Sequence, residues 1–134
     1  MIETIRLSEK AKTQLITLKR KTGIQQWNVL CRWAFCLSLA ESSRPPDEEI
    51  PSDSSVEMTW RTFAGTHDEV YRSMLVYRAA KEGVPTKGAA LQHYFRLHLH
   101  RGVSYLSSSD VGTIGRLVAL ATPKRSRGKA RDAA

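Results

Sequence analysis

The chain has 134 residues, of which 41% are hydrophobic and 25% charged, with a formal net charge of +8 and a sequence pI near 9.9. The length fits one domain, and the composition is that of a soluble globular protein, which leaves out a membrane-spanning chain. The basic balance favours nucleic acid or an anionic surface as a partner.

The charge falls in blocks. Residues 1–44 carry eight basic and three acidic side chains, residues 45–69 one and seven, residues 70–122 seven and two, and the tail 123–134 five and one. Two basic stretches therefore flank an acidic insert, and a basic tail follows.

Ile2 to Leu7 alternates between two faces and is rich in β-branched residues, which predicts a short strand with no hairpin partner beside it in the chain. Ser8 is a good N-cap and Glu9 suits the positive end of a helix dipole. The helix runs to about Thr22, buries Leu7, Ala11, Leu15 and Leu18, and stops at Gly23. Its last turn holds Lys19, Arg20 and Lys21, which suit the negative end of the dipole and can also meet phosphate.

The stretch from Gln26 to Ala40, QWNVLCRWAFCLSLA, is interrupted only by Asn28, Arg32 and Ser38. An amphipathic surface helix has one apolar stripe, whereas this one is apolar nearly all round and should be buried on all sides. It is too short for a membrane span, which needs about 20 apolar residues. Part of its cover is expected from a second copy of the chain, through Trp27, Leu30, Trp33, Phe35 and Leu37. Cys31 and Cys36 point to different faces of this helix and are expected to be free, buried thiols. With no CxxC pair, and a polar charged segment in place of a signal peptide, a cytoplasmic protein is expected. Strand, amphipathic helix, turn and buried helix make a ribbon-helix-helix-like N-terminal unit, in which two chains would pair their strands.

Ser42 to Ser55, SSRPPDEEIPSDSS, reads as an acidic, mobile loop because Pro45, Pro46 and Pro51 exclude helix interiors and central strands. Val56 to Phe63 alternates and reads as a strand or an extended packing segment. A helix is predicted over Asp68–Glu82, with Val70, Tyr71, Met74, Leu75 and Tyr77 on a broad apolar face. Another begins at Thr86 or Lys87 and closes at Gly102, and a short last helix runs from about Ser109 to Leu120. The tail from Pro123 has no aliphatic core residue and reads as disordered. The fold class is thus mainly α with a short N-terminal strand, a ribbon-helix-helix-like unit plus additional helices, and oligomeric. Residues 1–122 form a single domain: strand-helix-helix over 1–41, the acidic loop over 42–55, and the extended segment and helices over 56–122.

Catalytic signatures are lacking. His93, His98 and His100 do not have the i, i+3 or i, i+4 spacing of helical metal ligands, and His93, Arg96 and His100 read as a polar edge able to face phosphate. No phosphate-cradling loop, nucleophile elbow or paired carboxylate appears, so neither an enzyme, a cofactor nor a metal is expected. The aromatic residues read mainly as core.

The run LSEKAKTQLITLKRKTGIQQWNVLCRWAFCLSL, followed by MTWRTFAG and FRLHLHRGVSYL, closely resembles the DndE family of DNA phosphorothioation systems, over most of residues 1–106. The resemblance implies a DNA-binding accessory that works with other Dnd proteins, in a system that replaces a non-bridging phosphate oxygen with sulfur. It also implies a preference for nicked duplex. It does not identify contact residues. From charge and position, the expected double-stranded DNA contacts are Arg6, Lys10, Lys12, Lys19, Arg20 and Lys21, with Lys124, Arg125 and Arg127 of the tail. A homo-oligomer, dimer or tetramer, repeats them by symmetry. The alternatives are a nicking or strand-handling nuclease of the same system and a scaffold for its other proteins that never touches DNA.

Overall fold

In the computed structural model, which describes residues 2–108, two helices pass so closely that a side chain cannot fit between them. Helix α2 spans Trp27–Ala40 and helix α5 spans Gly88–Ser107. A Cβ added to Gly102 would lie 1.7 Å from the carbonyl oxygen of Ala34. Gly102 was expected to close its helix, but α5 runs through it to Ser107. The helical cost of a glycine, about 1 kcal/mol against alanine, is offset here by the contact that its missing side chain permits.

Around this contact the rest assembles in the order β1 (Thr4–Arg6), α1 (Glu9–Thr22), α2, β2 (Glu57–Thr59), α3 (Trp60–Ala64), a 3-10 turn, α4 (Asp68–Lys81) and α5. The described residues are mainly helical with one small antiparallel sheet. Strand β1 finds its partner in its own chain: Thr4 pairs with Thr59, Ile5 with Met58 and Arg6 with Glu57. Strand β1 thus has a partner within its own chain, where the ribbon-helix-helix expectation had it pair with a second copy. The sequence concealed the pairing because the partner lies beyond the proline-rich loop. The segment expected to stay extended to Phe63 turns helical at Trp60, where the Thr59 hydroxyl accepts the Thr62 N–H at 3.0 Å and starts α3.

The core is contiguous. Ring centroids of Phe63 and Phe95 lie 5.0 Å apart, Phe35 and Phe95 5.2 Å, and Trp60 and Phe95 5.3 Å, mostly in edge or tilted geometry. The face expected on α4 is narrower than its sequence suggests: Leu75 and Ala79 are buried, whereas Val70 is 54% and Tyr77 69% exposed. Helix α2 buries Leu30, Cys31, Ala34, Phe35 and Ser38. Its opposite side is open: Trp27, Val29, Trp33, Leu37 and Leu39 are half-buried, and Cys36 is exposed rather than buried as expected. Burial pushes the Cys31 thiol up to about 12, so it stays protonated.

No cation lies in the last turn of α2, yet its terminal carbonyls are answered from elsewhere. Arg101 of α5 donates to the Ser38 carbonyl at 2.8 Å, and Arg78 of α4 donates to the Leu39 carbonyl at 2.8 Å. Arg78 also pairs with Glu82 at 2.9 Å, and the Tyr94 hydroxyl donates to the same carboxylate at 2.5 Å. The expected helix over 109–120 and the tail lie outside the described residues.

Gly102→Ala discriminates between propensity and packing. Helix propensity alone would make alanine stabilising by about 1 kcal/mol. Because the added methyl meets the Ala34 backbone, we expect instead a loss of about 1–3 kcal/mol or more in urea unfolding.

Candidate nucleic-acid interface

The C-terminal end of α1 carries three successive cations, Lys19, Arg20 and Lys21. Leu15, Leu18 and Thr22 are buried and fix the helix's rotation, and Gly23 ends it with φ 80, its N–H donating to the Lys19 carbonyl at 2.9 Å. The Thr22 hydroxyl donates to the Leu18 carbonyl at 2.7 Å and accepts the Ile24 N–H at 3.1 Å, which stiffens the turn into α2. Lys19 lies with its ammonium 3.8 Å from the centroid of the Trp27 ring. Arg20 and Lys21 are exposed, and neither takes part in a hydrogen bond or ion pair among the described residues. Asn28 donates to the Thr62 carbonyl at 3.1 Å, which ties α3 to the first turn of α2. Exposed Arg61 stands next to Thr62 in the chain and was not anticipated, because its segment read as extended.

The remaining expected contacts are separated from this cluster. Arg6 is engaged across the sheet, donating to the Glu57 carboxylate at 2.8 Å and to the Ser54 carbonyl at 2.8 Å. Lys12 donates to the Ser55 hydroxyl at 3.1 Å. Lys10 lines a cleft beside Glu48, Glu49 and Asp53. Lys124, Arg125 and Arg127 lie outside the described residues. Of the residues expected at an interface between copies, Leu30 and Phe35 are wholly buried within the chain, while Trp27, Trp33 and Leu37 keep part of their surface.

The polar edge of α5 serves the fold. Arg96 donates to the carbonyls of Ile50 at 2.9 Å, Pro51 at 3.0 Å and Arg6 at 3.1 Å, and His93 meets Asp47 at 2.8 Å. Asp53 accepts the Glu9 N–H at 2.8 Å, capping α1 from outside the helix. The loop over residues 42–55, expected to be mobile, is thus anchored along its length by α5, β1 and α1. His100 accepts the Ser8 N–H on Nε2 at 3.2 Å and donates from Nδ1 to the Arg96 carbonyl at 2.9 Å. That pairing holds the ring neutral. His98 is buried: Arg101 Nε donates to the Ser38 hydroxyl at 2.9 Å, and that hydroxyl lies 2.8 Å from His98 Nδ1. His98 Nε2 is buried and has no hydrogen-bond partner among the described residues. Burial pushes both His98 and His100 down to about 4, with nearby Arg101 and Arg78 adding to the effect at His98.

Among the described residues no group of three His, Cys, Asp or Glu side chains could hold a metal ion, and no helix is long and apolar enough to cross a membrane. A family model described as DNA sulphur modification protein DndE matches residues 4–111. Among solved structures, the chain is similar to the crystal structure of DndE from Escherichia coli B7A, described as involved in DNA phosphorothioation modification. The identity is 25%, the TM-score is 0.66, and the match covers 79% of this chain and 98% of that one. A double glycine-to-lysine variant of DndE is similar at 20% identity and a TM-score of 0.63, covering 81% and 100%, and shares the fold. No curated protein matches the chain.

The two neutral histidines set a pH dependence. In the unfolded chain they take up protons near the ordinary value of 6.5, and in the folded chain only near 4. Between these values the unfolded state holds more protons, so stability is fully present above about pH 6.5 and falls as pH drops towards 4. Melting temperature followed across this window should decline with acidification, and His100→Gln should flatten the decline. An equal slope in parent and variant would remove His100 from the account.

Proposed function

The chain belongs to the DndE family of DNA sulphur modification proteins, and we propose that it is a DNA-binding subunit of a phosphorothioation system, gripping the duplex backbone at the C-terminal end of α1. The observation that carries this reading is the division of labour among the cations. Arg6, Arg78, Arg96 and Arg101 are spent on carbonyls and carboxylates of their own chain, whereas Arg20 and Lys21 project into solvent beside Lys19. Cations without a partner among the described residues, presented from a capped helix end, suit phosphate rather than base edges. Affinity should therefore depend strongly on salt and weakly on sequence, and a nick favours binding by letting the duplex bend. The subunit supplies binding, and the sulfur chemistry belongs to its partners in the system.

We propose further that the open side of α2 is covered by another copy of the chain. Trp33 and Cys36, with Val29, Tyr71 and Arg32, line a mainly apolar recess, and Val70 and Tyr77 are exposed on the neighbouring α4. A homo-oligomer, dimer or tetramer, would repeat the α1 cluster and multiply its phosphate contacts.

Arg20→Glu combined with Lys21→Glu should abolish the gel shift of nicked duplex at physiological salt, with elution volume and melting temperature unchanged. Wild-type affinity in this variant would place the grip elsewhere. In the parent, the logarithm of affinity should fall with the logarithm of salt by about 0.9 for each phosphate neutralised, and removing residues 124–134 should flatten that slope. Trp33→Asp should reduce the mass measured by light scattering, because a charge would be buried at the contact; a parent that is already monomeric at high micromolar concentration would remove the oligomer.

A further inference from the structure

At the other end of α1 the surface reverses its character. A cleft of about 380 Å³ opens between the acidic loop, the first turns of α1 and the C-terminal half of α5. Its walls include Ala11, Pro46, Ile50, Leu97 and Tyr105, and carboxylates of Glu48, Glu49 and Asp53 line it. Asp53 is occupied in capping α1. Glu48 and Glu49 are exposed, and neither takes part in a hydrogen bond or ion pair among the described residues. Two cations also line the cleft, but they do not neutralise it equally. Arg101 is engaged with Ser38 and with the Ser43 hydroxyl, which leaves Lys10 as the other cation lining the cleft.

We infer that this cleft is a docking site for a segment of another protein of the same DNA-modification system, one that carries lysine or arginine beside an apolar side chain. The inference rests on the reading of α1 as the DNA grip, since that reading assigns the basic end of the molecule and leaves the acidic end for a protein. Charge complementarity selects the occupant. Two lining carboxylates that have no partner among the described residues repel a phosphate backbone and attract a cation, while the proline, isoleucine, leucine and tyrosine walls accept an apolar anchor. The separation between the two ends lets both work at once. Ser8 lines the cleft and Lys21 stands at the far end of α1, about 20 Å along the axis at roughly 1.5 Å per residue. Charges that far apart on the surface are screened from one another at physiological salt, where the Debye length is about 8 Å. The acidic lip therefore does not cancel the grip on DNA, and α1 spaces a DNA end from a protein end.

The test is a photo-crosslinking amino acid at Gln14, which lines the cleft, in the full chain expressed with the other proteins of its phosphorothioation system and assayed with nicked duplex present. The expected product is a crosslink to one of those proteins, mapped by mass spectrometry to a segment with Lys or Arg next to an apolar residue. In Glu48→Lys with Glu49→Lys the product should fall at least tenfold, while melting temperature and DNA affinity hold. In Arg20→Glu with Lys21→Glu the product should persist although DNA binding is lost. This double dissociation separates the two readings, because failure of the DNA grip leaves the crosslink in place. A crosslink to DNA, to a second copy or within the chain overturns the docking site. So does a crosslink that survives the charge reversal, or the absence of any product.

Discussion

The backbone contact between Gly102 of α5 and Ala34 of α2 is the constraint on which the other elements depend. Because these helices meet without intervening side chains, the aromatic residues on either side pack around the joint, in tilted and edge geometry, rather than between its members. Phe35 and Phe95, one from each helix, are the first such pair, and Phe63 and Trp60 of α3 close over them. Strand β2 runs directly into α3, so placing Trp60 also places the partner of β1. Through β1 and Ser8 the start of α1 is set, and with it the direction in which its final cations point.

Much of this arrangement was legible in the residues. Ser8 and Gly23 bound α1 as their capping chemistry requires, and the aliphatic stripe of α1 fixed which side Lys19, Arg20 and Lys21 present. What escaped was long-range. A glycine in a helix reads as a stop unless the facing backbone is known, and that backbone lies far away in the sequence. The cations of α5 and β1 read as free because their acceptors are mostly main-chain carbonyls of the acidic loop, which composition does not show. Carboxylates explained only part of that loop's attachment. The helix of α2 was recognised, but how its apolar surface divides between α5 and solvent depends on rotation about its axis, and a sequence apolar all round leaves that rotation undetermined.

The same division explains why total charge is a poor guide to a binding surface. Arginine donates through a planar fork, so it suits several carbonyls at once, and Arg78 and Arg96 each do this work. The chain thereby stabilises loop and helix ends without placing hydrogen-bonded carboxylates beside every one. Fewer of the 21 basic residues than the composition suggests are left for a polyanion, and those at the end of α1 are adjacent.

The pairing of Arg6 with Glu57, across 51 positions of sequence, has a consequence for synthesis on the ribosome. The chain leaves the tunnel at about 5–20 residues per second, so β1 and the whole of α2 emerge seconds before β2, and before the part of α5 that packs on Ala34. During that interval the nascent chain carries an unpaired edge and an apolar helix with nothing of its own to cover it, the species that chaperones capture. The time taken to synthesise the proline-rich loop thus sets how long this vulnerable intermediate lasts.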